Sequence, residues 1–233
     1  MKTGSIKKIF FIPIAIAVGL LQAQPSIIIP AKTERPENIL GKPHISKPED
    51  IAGDPMLMED WGNGTVKVNS GKVYKGVVLK FNLFTNELFF QRNMDVYSFR
   101  ERVQECELNY IDNDKLQRMF LRSGFPNVSD KDSNSLYQVL VDGNNVQLLK
   151  YVCKKIDQRV NMGVPDTKNF EKSEIYYLYD AKQGTIKNIK PDRSSVLEAL
   201  PAHKQEIELF ASAKNYKLKN ESELIALVNE LNK

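Results

Sequence analysis

The feature that most constrains this chain is a series of short runs rich in β-branched and aromatic residues between residues 64 and 189. Partial alternation of apolar and polar side chains within the runs predicts strands that bury one face. The runs are separated by turn sequences such as 69–71 and 142–145, whose Gly and Asn residues tolerate the positive φ angles of tight hairpins. The predicted strands are 64–68, 72–75, 77–84, 87–91, 96–100, 106–110, 116–121, 136–141, 146–156, 175–179 and 185–189.

The last part of the chain changes to a helical period. Asp192 or Ser194 can cap a short helix, Pro201 suits the first turn of a second, and Asn220 followed by Glu223 resembles a capping arrangement for a third. No long helical connection separates the strands, which favours antiparallel pairing. The predicted fold is therefore α+β, mainly antiparallel β as a meander, sandwich or incomplete barrel, with helices in about residues 193–232 packed on the sheet.

The N-terminus has the layout of a secretory signal peptide. Three lysines (Lys2, Lys7 and Lys8) precede the uncharged run 9–21, and Ala23 is the expected cleavage site. The run has 13 residues, whereas a spanning helix needs about 20. We therefore expect export to the periplasm or the outer membrane, or secretion, with no transmembrane span after cleavage. An uncleaved anchor is the alternative, and Pro13 counts against it.

The predicted signal peptide accounts for most of the net positive charge of the chain. The whole chain has 33 Lys and Arg against 29 Asp and Glu, a formal charge of +4. Removing residues 1–23 takes away three lysines and no acid, so 30 basic residues face 29 acidic ones and the mature charge is about +1. A nearly neutral chain offers no general electrostatic reason to bind nucleic acid.

Residues 24–60 are rich in proline, with six prolines in 37 residues. Proline at this density removes amide donors and favours polyproline II, which predicts a flexible, exposed tether before a single β-rich domain at 61–233. The isoleucines at 27–29 could form a short docking strand, although an adhering terminal arm is the favoured interpretation.

Catalytic and metal-binding signatures are scarce in this sequence. The two histidines, His44 and His203, lie in the tether and in a predicted helix, and the sequence has no His-Glu-x-x-His, Cys-x-x-Cys, Gly-x-Ser-x-Gly or phosphate-binding Gly-Lys-Ser/Thr motif. Glu105 and Glu107 share one strand face and, beside Arg100 and Arg102, are typical of a solvated charged surface. We predict no catalytic, cofactor-binding or metal-binding residue.

Two cysteines, Cys106 and Cys153, lie on predicted strands with 46 residues between them. In an oxidising compartment they could form a disulfide, which would stabilise the fold by about 2 to 4 kcal/mol. Two buried, reduced thiols are the favoured alternative, because the strand register is unknown at this point.

Two surface features could bind a ligand. Tyr176, Tyr177 and Tyr179 place aromatic rings on both faces of one strand, although core packing is the commoner use of such residues. A basic series along one long strand could meet anionic lipid or polysaccharide, although protection of a strand edge by charge is the favoured interpretation; its members are Lys150, Lys154, Lys155 and Arg159.

The run 64–88 resembles a pattern found in uncharacterised exported proteins of Bacteroidota, with Gly-Lys-Val-Tyr-Lys at 71–75 and Leu-Lys-Phe-Asn-Leu at 79–83. Further similar stretches are 139–143, Tyr176-Tyr177 and the closing helical pair ending in Leu224-Ile225. The resemblance covers most of the mature chain, and its motifs are structural. It implies an envelope protein and carries over no catalytic residue.

Three functions are consistent with these observations. The first is a non-enzymatic exported protein with a binding or scaffolding role toward an envelope protein, lipid or polysaccharide. The second is a barrel-like carrier that encloses an apolar ligand, which requires an open apolar cavity. The third is a hydrolase that works with carboxylates alone, which requires acidic residues converging in a concave pocket.

Overall fold

A computed structural model of the chain describes residue 25 and residues 33–43, 51–159 and 167–233. The predicted signal peptide, the isoleucines at 27–29 and His44 lie outside these residues. The strands are β1 (Gly41–Pro43), β2 (Gly62–Val68), β3 (Val73–Asn82), β4 (Glu87–Arg92), β5 (Asp95–Phe99), β6 (Val103–Asp112), β7 (Lys115–Arg122), β8 (Tyr137–Val141), β9 (Val146–Arg159), β10 (Thr167–Asp180) and β11 (Thr185–Ile189). The helices are α1 (Arg193–Ala199), α2 (Lys204–Lys214) and α3 (Glu221–Glu230).

The eleven strands of the described residues belong to one sheet, in the order β1-β5-β4-β3-β2-β6-β7-β8-β9-β10-β11. Every neighbouring pair is antiparallel, and most neighbours are joined by a short turn. The predicted fold class, mainly antiparallel β with C-terminal helices packed on the sheet, is confirmed.

Two predicted strands, 72–75 and 77–84, are one strand in the structure. Gly64 pairs with Val77 and Thr65 with Lys75, so Gly76 is an extra residue in β3. Its φ angle is +64°. This geometry is a β-bulge, and glycine tolerates the positive φ without a Cβ clash. The glycine therefore bends β3 without ending it.

The sheet curls on itself between β3 and β9. The Lys154 amide of β9 donates a hydrogen bond of 3.0 Å to the carbonyl of Leu83, just after β3, although four strands separate β3 and β9 in the sheet. The curl encloses a core of buried apolar side chains that includes Leu79, Phe81 and Cys106, each at most 1% exposed. This half of the sheet is an incomplete barrel with a filled interior.

Part of the segment predicted as a tether lies against the sheet. The Leu57 amide donates to the Phe81 carbonyl at 2.8 Å, and the Ala52 amide donates to the Lys168 carbonyl at 2.9 Å. β1 pairs with β5, and Ile39 is 3% exposed. In these described parts, the residues between the prolines offer amides and apolar side chains to the sheet.

The helices cover one face of the C-terminal strands. Asp192 caps α1 by accepting a 2.8 Å hydrogen bond from the Ser195 amide, and Asn220 caps α3 by accepting one of 2.9 Å from the Glu223 amide. Apolar residues of the three helices pack with Leu148 of β9 and other strand residues in one core cluster. No helix in the described residues is long and apolar enough to cross a membrane.

The opposite face of these strands has an aromatic cluster. Tyr137 of β8 lies at the centre, with ring centroids 5.5 Å from Tyr151 of β9 and 5.3 Å from Tyr177 of β10. Phe125, from the connection between β7 and β8, meets Tyr137 edge-on at 5.5 Å. We call residues 123–136 the β7–β8 loop; it crosses this face and forms one wall of the site described next.

Candidate ligand-binding groove

A groove of about 520 Å³ opens beside the β7–β8 loop. Its walls are loop residues between Asp130 and Leu136, the segment 85–88 at the β3–β4 turn and the start of β4, and the segment 98–103 from the end of β5 to the start of β6. Tyr151 also lines it. Its volume lies within the range of small-molecule sites, about 300 to 1,000 Å³. Charged side chains of both signs and several hydroxyl and amide groups line it, which suits a polar ligand.

The loop is fastened to the far wall of the groove by Asn86. The Leu136 amide donates to Asn86 Oδ1 at 2.7 Å, and Asn86 Nδ2 donates to the Leu136 carbonyl at 3.1 Å. Asn86 occupies the left-handed region at φ 56° in the β3–β4 turn, a conformation that asparagine tolerates well. One side chain therefore pairs with the loop as a neighbouring strand would.

Hydrogen bonds within the loop fix its tip. Asp132 Oδ1 accepts from the amides of Asn134 at 2.9 Å and Ser135 at 3.1 Å, and the Asn134 side chain donates to Asp132 Oδ2 at 3.0 Å. The bond from the Asn134 side chain is the largest cause of the lowered pKa of the Asp132 carboxyl, and the bond from the Asn134 amide is the next. Val128 and Lys131 exchange two backbone hydrogen bonds of 3.0 and 2.9 Å. This wall of the groove is therefore pre-formed.

Lys131 turns from the loop tip onto the sheet. Its ammonium lies 4.5 Å from the centre of the Tyr151 ring and also contacts the Asp130 carboxylate. The Lys131 side chain is only 13% exposed, whereas that of Asp130 is 79% exposed. The hydrogen bond from Lys131 is the largest cause of the lowered pKa of Asp130.

Two buried polar atoms near the groove have no hydrogen-bond partner among the described residues: Arg102 Nε and the Tyr137 hydroxyl. The same Arg102 guanidinium donates to Asn69 Oδ1 at 2.7 Å and to Ser133 Oγ at 3.5 Å. Tyr137 is fully buried, and both burial and the nearby charges of Asp130 and Asp132 raise its pKa. Buried polar groups normally have a hydrogen-bond partner, so two buried polar atoms without one are an unusual feature of the region under the loop.

A second pocket of about 310 Å³ adjoins the groove and shares Asp130, Lys131 and Tyr151 with it. Phe84 and residues 153–156 of β9 complete its lining. We call this pocket the Phe84 end of the groove. It has exposed apolar groups beside lysines, since Phe84 is 46% and Ile156 40% exposed.

The predicted tyrosine surface is divided by the sheet. Tyr177 is 2% exposed within the aromatic cluster, and Tyr179 meets Phe125 edge-on at 5.3 Å. Tyr176 lies on the helix-covered face, where its hydroxyl donates to Glu221 at 3.0 Å. The three rings pack within the fold and do not form a common platform at the groove.

Cys106 and Cys153 are two buried free thiols, so the structure has no disulfide between them. Strands β7 and β8 lie between their strands. The pairings Cys106 to Leu121, Leu121 to Gln138 and Gln138 to Lys150 place these four residues on one face, and Cys153, three positions after Lys150, lies on the other.

The remaining candidates serve structural contacts. Glu105 pairs with Lys67 at 3.5 Å and Arg122 at 3.3 Å, and Glu107 pairs with Arg118 at 3.0 Å. His203 Nδ1 lies 3.1 Å from Glu206. These contacts link residues on neighbouring strands or residues one helical turn apart, and none of them borders the groove.

The predicted basic series is also divided. Lys150 pairs with Glu221 of α3 at 2.7 Å, and the Lys154 ammonium donates to the Asp54 and Met56 carbonyls at 2.6 and 2.8 Å. Lys155 lines the Phe84 end of the groove. Arg159 ends β9, but its side chain lies outside the described part of the chain. The series is therefore not one charged edge.

The described residues bear on both alternative functions. The incomplete barrel is filled by its own side chains, which leaves the carrier hypothesis without a cavity in that core. The groove is lined by acidic residues, as the hydrolase hypothesis requires: Glu87, Glu101, Asp130 and Asp132. The pKa values of Asp130 and Asp132 are lowered, which does not suit a general acid. No group of three or more His, Cys, Asp or Glu in the described residues could hold a metal ion.

Asp130, Lys131, Tyr151 and Arg102 were not identified from the sequence as site residues. The available signal was the polar stretch 127–135, which has Asn, Ser and Asp between two predicted strands, because binding residues often lie on loops held by a rigid scaffold. Comparison of the chain with protein-family models, curated proteins and solved structures finds no match.

Proposed function

We propose that this chain is an exported, non-catalytic protein of the cell envelope, in the periplasm or at the outer membrane or secreted, whose binding role is performed by the groove beside the β7–β8 loop. The observation that supports the binding role is the pre-formed polar groove, closed on one side by the Asn86–Leu136 pair. The support for export is the N-terminal sequence.

The mixed polarity of the groove favours a polar ligand over an apolar one. Arg100, Arg102 and Lys131 face four carboxylates in its lining, those of Glu87, Glu101, Asp130 and Asp132. Such a site offers many directed hydrogen bonds to hydroxyl groups and little apolar area for an acyl chain. Among envelope components, we therefore favour a polysaccharide.

Export is tested by recovering the protein from cell fractions and sequencing its N-terminus. We expect a mature chain that begins at Gln24 in the envelope or medium. An intact N-terminus in the cytosol would contradict this part of the proposal.

The binding role is tested by photo-crosslinking in living cells. A photoreactive residue replaces Ser98, which lines the groove, or Lys187, which lies near α1 and donates to the Glu198 carbonyl. We expect carbohydrate-positive adducts from position 98 and none from position 187. Equal adducts at both positions, or none at either, would refute binding in the groove.

A further inference from the structure

The Phe84 end of the groove has a charge arrangement that differs from that of the rest of the groove. Lys131 of the loop and Lys155 of β9 line this pocket together with Asp130. The hydrogen bond from Lys131 is the main cause of the lowered pKa of Asp130, and the charge of Lys155 adds to it. Because side chains alternate along a strand, Lys155 lies on the same face of β9 as Tyr151 and Cys153. Two cations from different elements therefore line this pocket, beside Lys154, whose ammonium is bonded to the Asp54 and Met56 carbonyls.

The Asp130 carboxylate in this lining belongs to the protein itself. Asp130 contacts Lys131 directly, yet its side chain is 79% exposed. An exposed carboxylate is held weakly because water competes for it. The Asp130 carboxylate therefore marks a place where an acidic group of a ligand can displace it from the lysines or bind beside it.

The pocket also has an exposed ring. Phe84 is 46% exposed and meets Phe170 edge-on, with ring centroids 5.3 Å apart at 62°. The exposed part of the Phe84 side chain is open to a ligand. The C–H face of a sugar ring can pack on such a surface while its polar groups reach into the adjoining groove.

We propose that the Phe84 end is an anion-binding subsite that takes the carboxylate, sulfate or phosphate group of an acidic oligosaccharide, with Lys131 and Lys155 as its cationic partners. This inference rests on the proposed function and specifies its ligand class. A lipid is the less favoured source of the acidic group, because the apolar side chains of the neighbouring barrel fill its interior and leave no place there for acyl chains.

The test is calorimetric titration of the purified protein at low salt with oligomannuronate, a chondroitin sulfate oligosaccharide, a phosphomannan oligosaccharide, a neutral cello-oligosaccharide and vesicles of phosphatidylglycerol. Lys155→Gln removes the exposed cation, and Lys115→Gln makes the same charge change at the distant β6–β7 turn. Asp130→Asn removes the competing carboxylate and keeps its shape.

We expect at least one acidic oligosaccharide to bind. Lys155→Gln should weaken it about three- to tenfold, as for loss of one exposed charge-assisted contact. Asp130→Asn should strengthen binding, Lys115→Gln should leave it unchanged, and added salt should weaken it.

Three results would overturn the inference. If the neutral oligosaccharide binds as well as the acidic ones and Lys155→Gln has no effect, the groove binds sugar without an anion subsite, and the proposed function survives. Binding of the vesicles alone would assign the acidic group to a lipid. If no probe binds, the inference fails, whereas the proposed function is decided separately by the crosslinking experiment.

Discussion

The ammonium of Lys131 lies 4.5 Å from the centre of the Tyr151 ring, so a loop residue covers the face of an aromatic side chain on β9. A cation over a tyrosine ring contributes about 0.5 to 2 kcal/mol, more when it is shielded from water. With Lys131 only 13% exposed, this contact holds the loop tip onto the sheet and brings a positive charge to the middle of the groove.

The other end of the loop depends on Asn86. Asn86→Ala should lower the free energy of unfolding by about 1 to 3 kcal/mol, because two hydrogen bonds to Leu136 are lost. Asn86→Gly loses the same bonds but tolerates φ 56°, so it should destabilise less. Urea denaturation measures both variants, and hydrogen exchange of the Leu136 amide should accelerate in both. Unchanged exchange would show that Asn86 does not anchor the loop.

Removal of the unpartnered Tyr137 hydroxyl should not destabilise the fold, in contrast to the Asn86 substitutions. Tyr137→Phe removes a buried polar group without a hydrogen bond and keeps the aromatic packing with Tyr151 and Tyr177. We expect unfolding free energy within about 0.5 kcal/mol of the parent, or higher. A loss above about 1 kcal/mol in the same denaturation assay would mean that the hydroxyl has a partner such as a buried water.

Alkaline pH should destabilise the fold. Burial raises the pKa of Tyr137, Tyr151 and Tyr176 above the ordinary value of 10.0. A raised pKa means that the folded state binds more protons than the unfolded state above pH 10, so stability is retained below that pH and falls as pH rises through it. Unfolding free energies measured between pH 10 and pH 12, together with tyrosinate absorbance, test this prediction. Stability that is constant to pH 12 would contradict it.

The two cysteines should differ in reactivity. Cys106 is fully buried and burial raises its pKa, whereas Cys153 is 6% exposed and lines the Phe84 end. In the native protein, an alkylating reagent should label Cys153 first, since the thiolate and access control the rate. Mass spectrometry of the labelled protein distinguishes the two sites. A Cys106–Cys153 linked peptide in a non-reducing digest would contradict the observed register.

Local patterns predicted the strands and helices well because their signals lie within a few residues. The turn residues at 142–145 separate β8 from β9, and the Asn220–Glu223 pair begins α3, as expected. The bulge at Gly76 was missed because it depends on the partner strand β2, whose register cannot be read from β3 alone.

The groove was not predictable in this way. Asn86 and Leu136 are 50 residues apart, and nothing in either local sequence identifies the other as its partner. The curl that joins Lys154 to Leu83 likewise follows from the twist and coiling of the whole sheet. The polar stretch 127–135 lies between two predicted strands, but only the packing of distant strands makes it the wall of a groove.

The most direct measurement is amide chemical-shift mapping of the isotope-labelled protein during titration with the tightest-binding acidic oligosaccharide. We predict shifts within the segments 84–88, 98–103, 130–136 and 151–156, which contain the residues that line the groove and its Phe84 end. Shifts confined to the helices or to β11, or a saturating titration without shifts at these residues, would contradict ligand binding beside the β7–β8 loop.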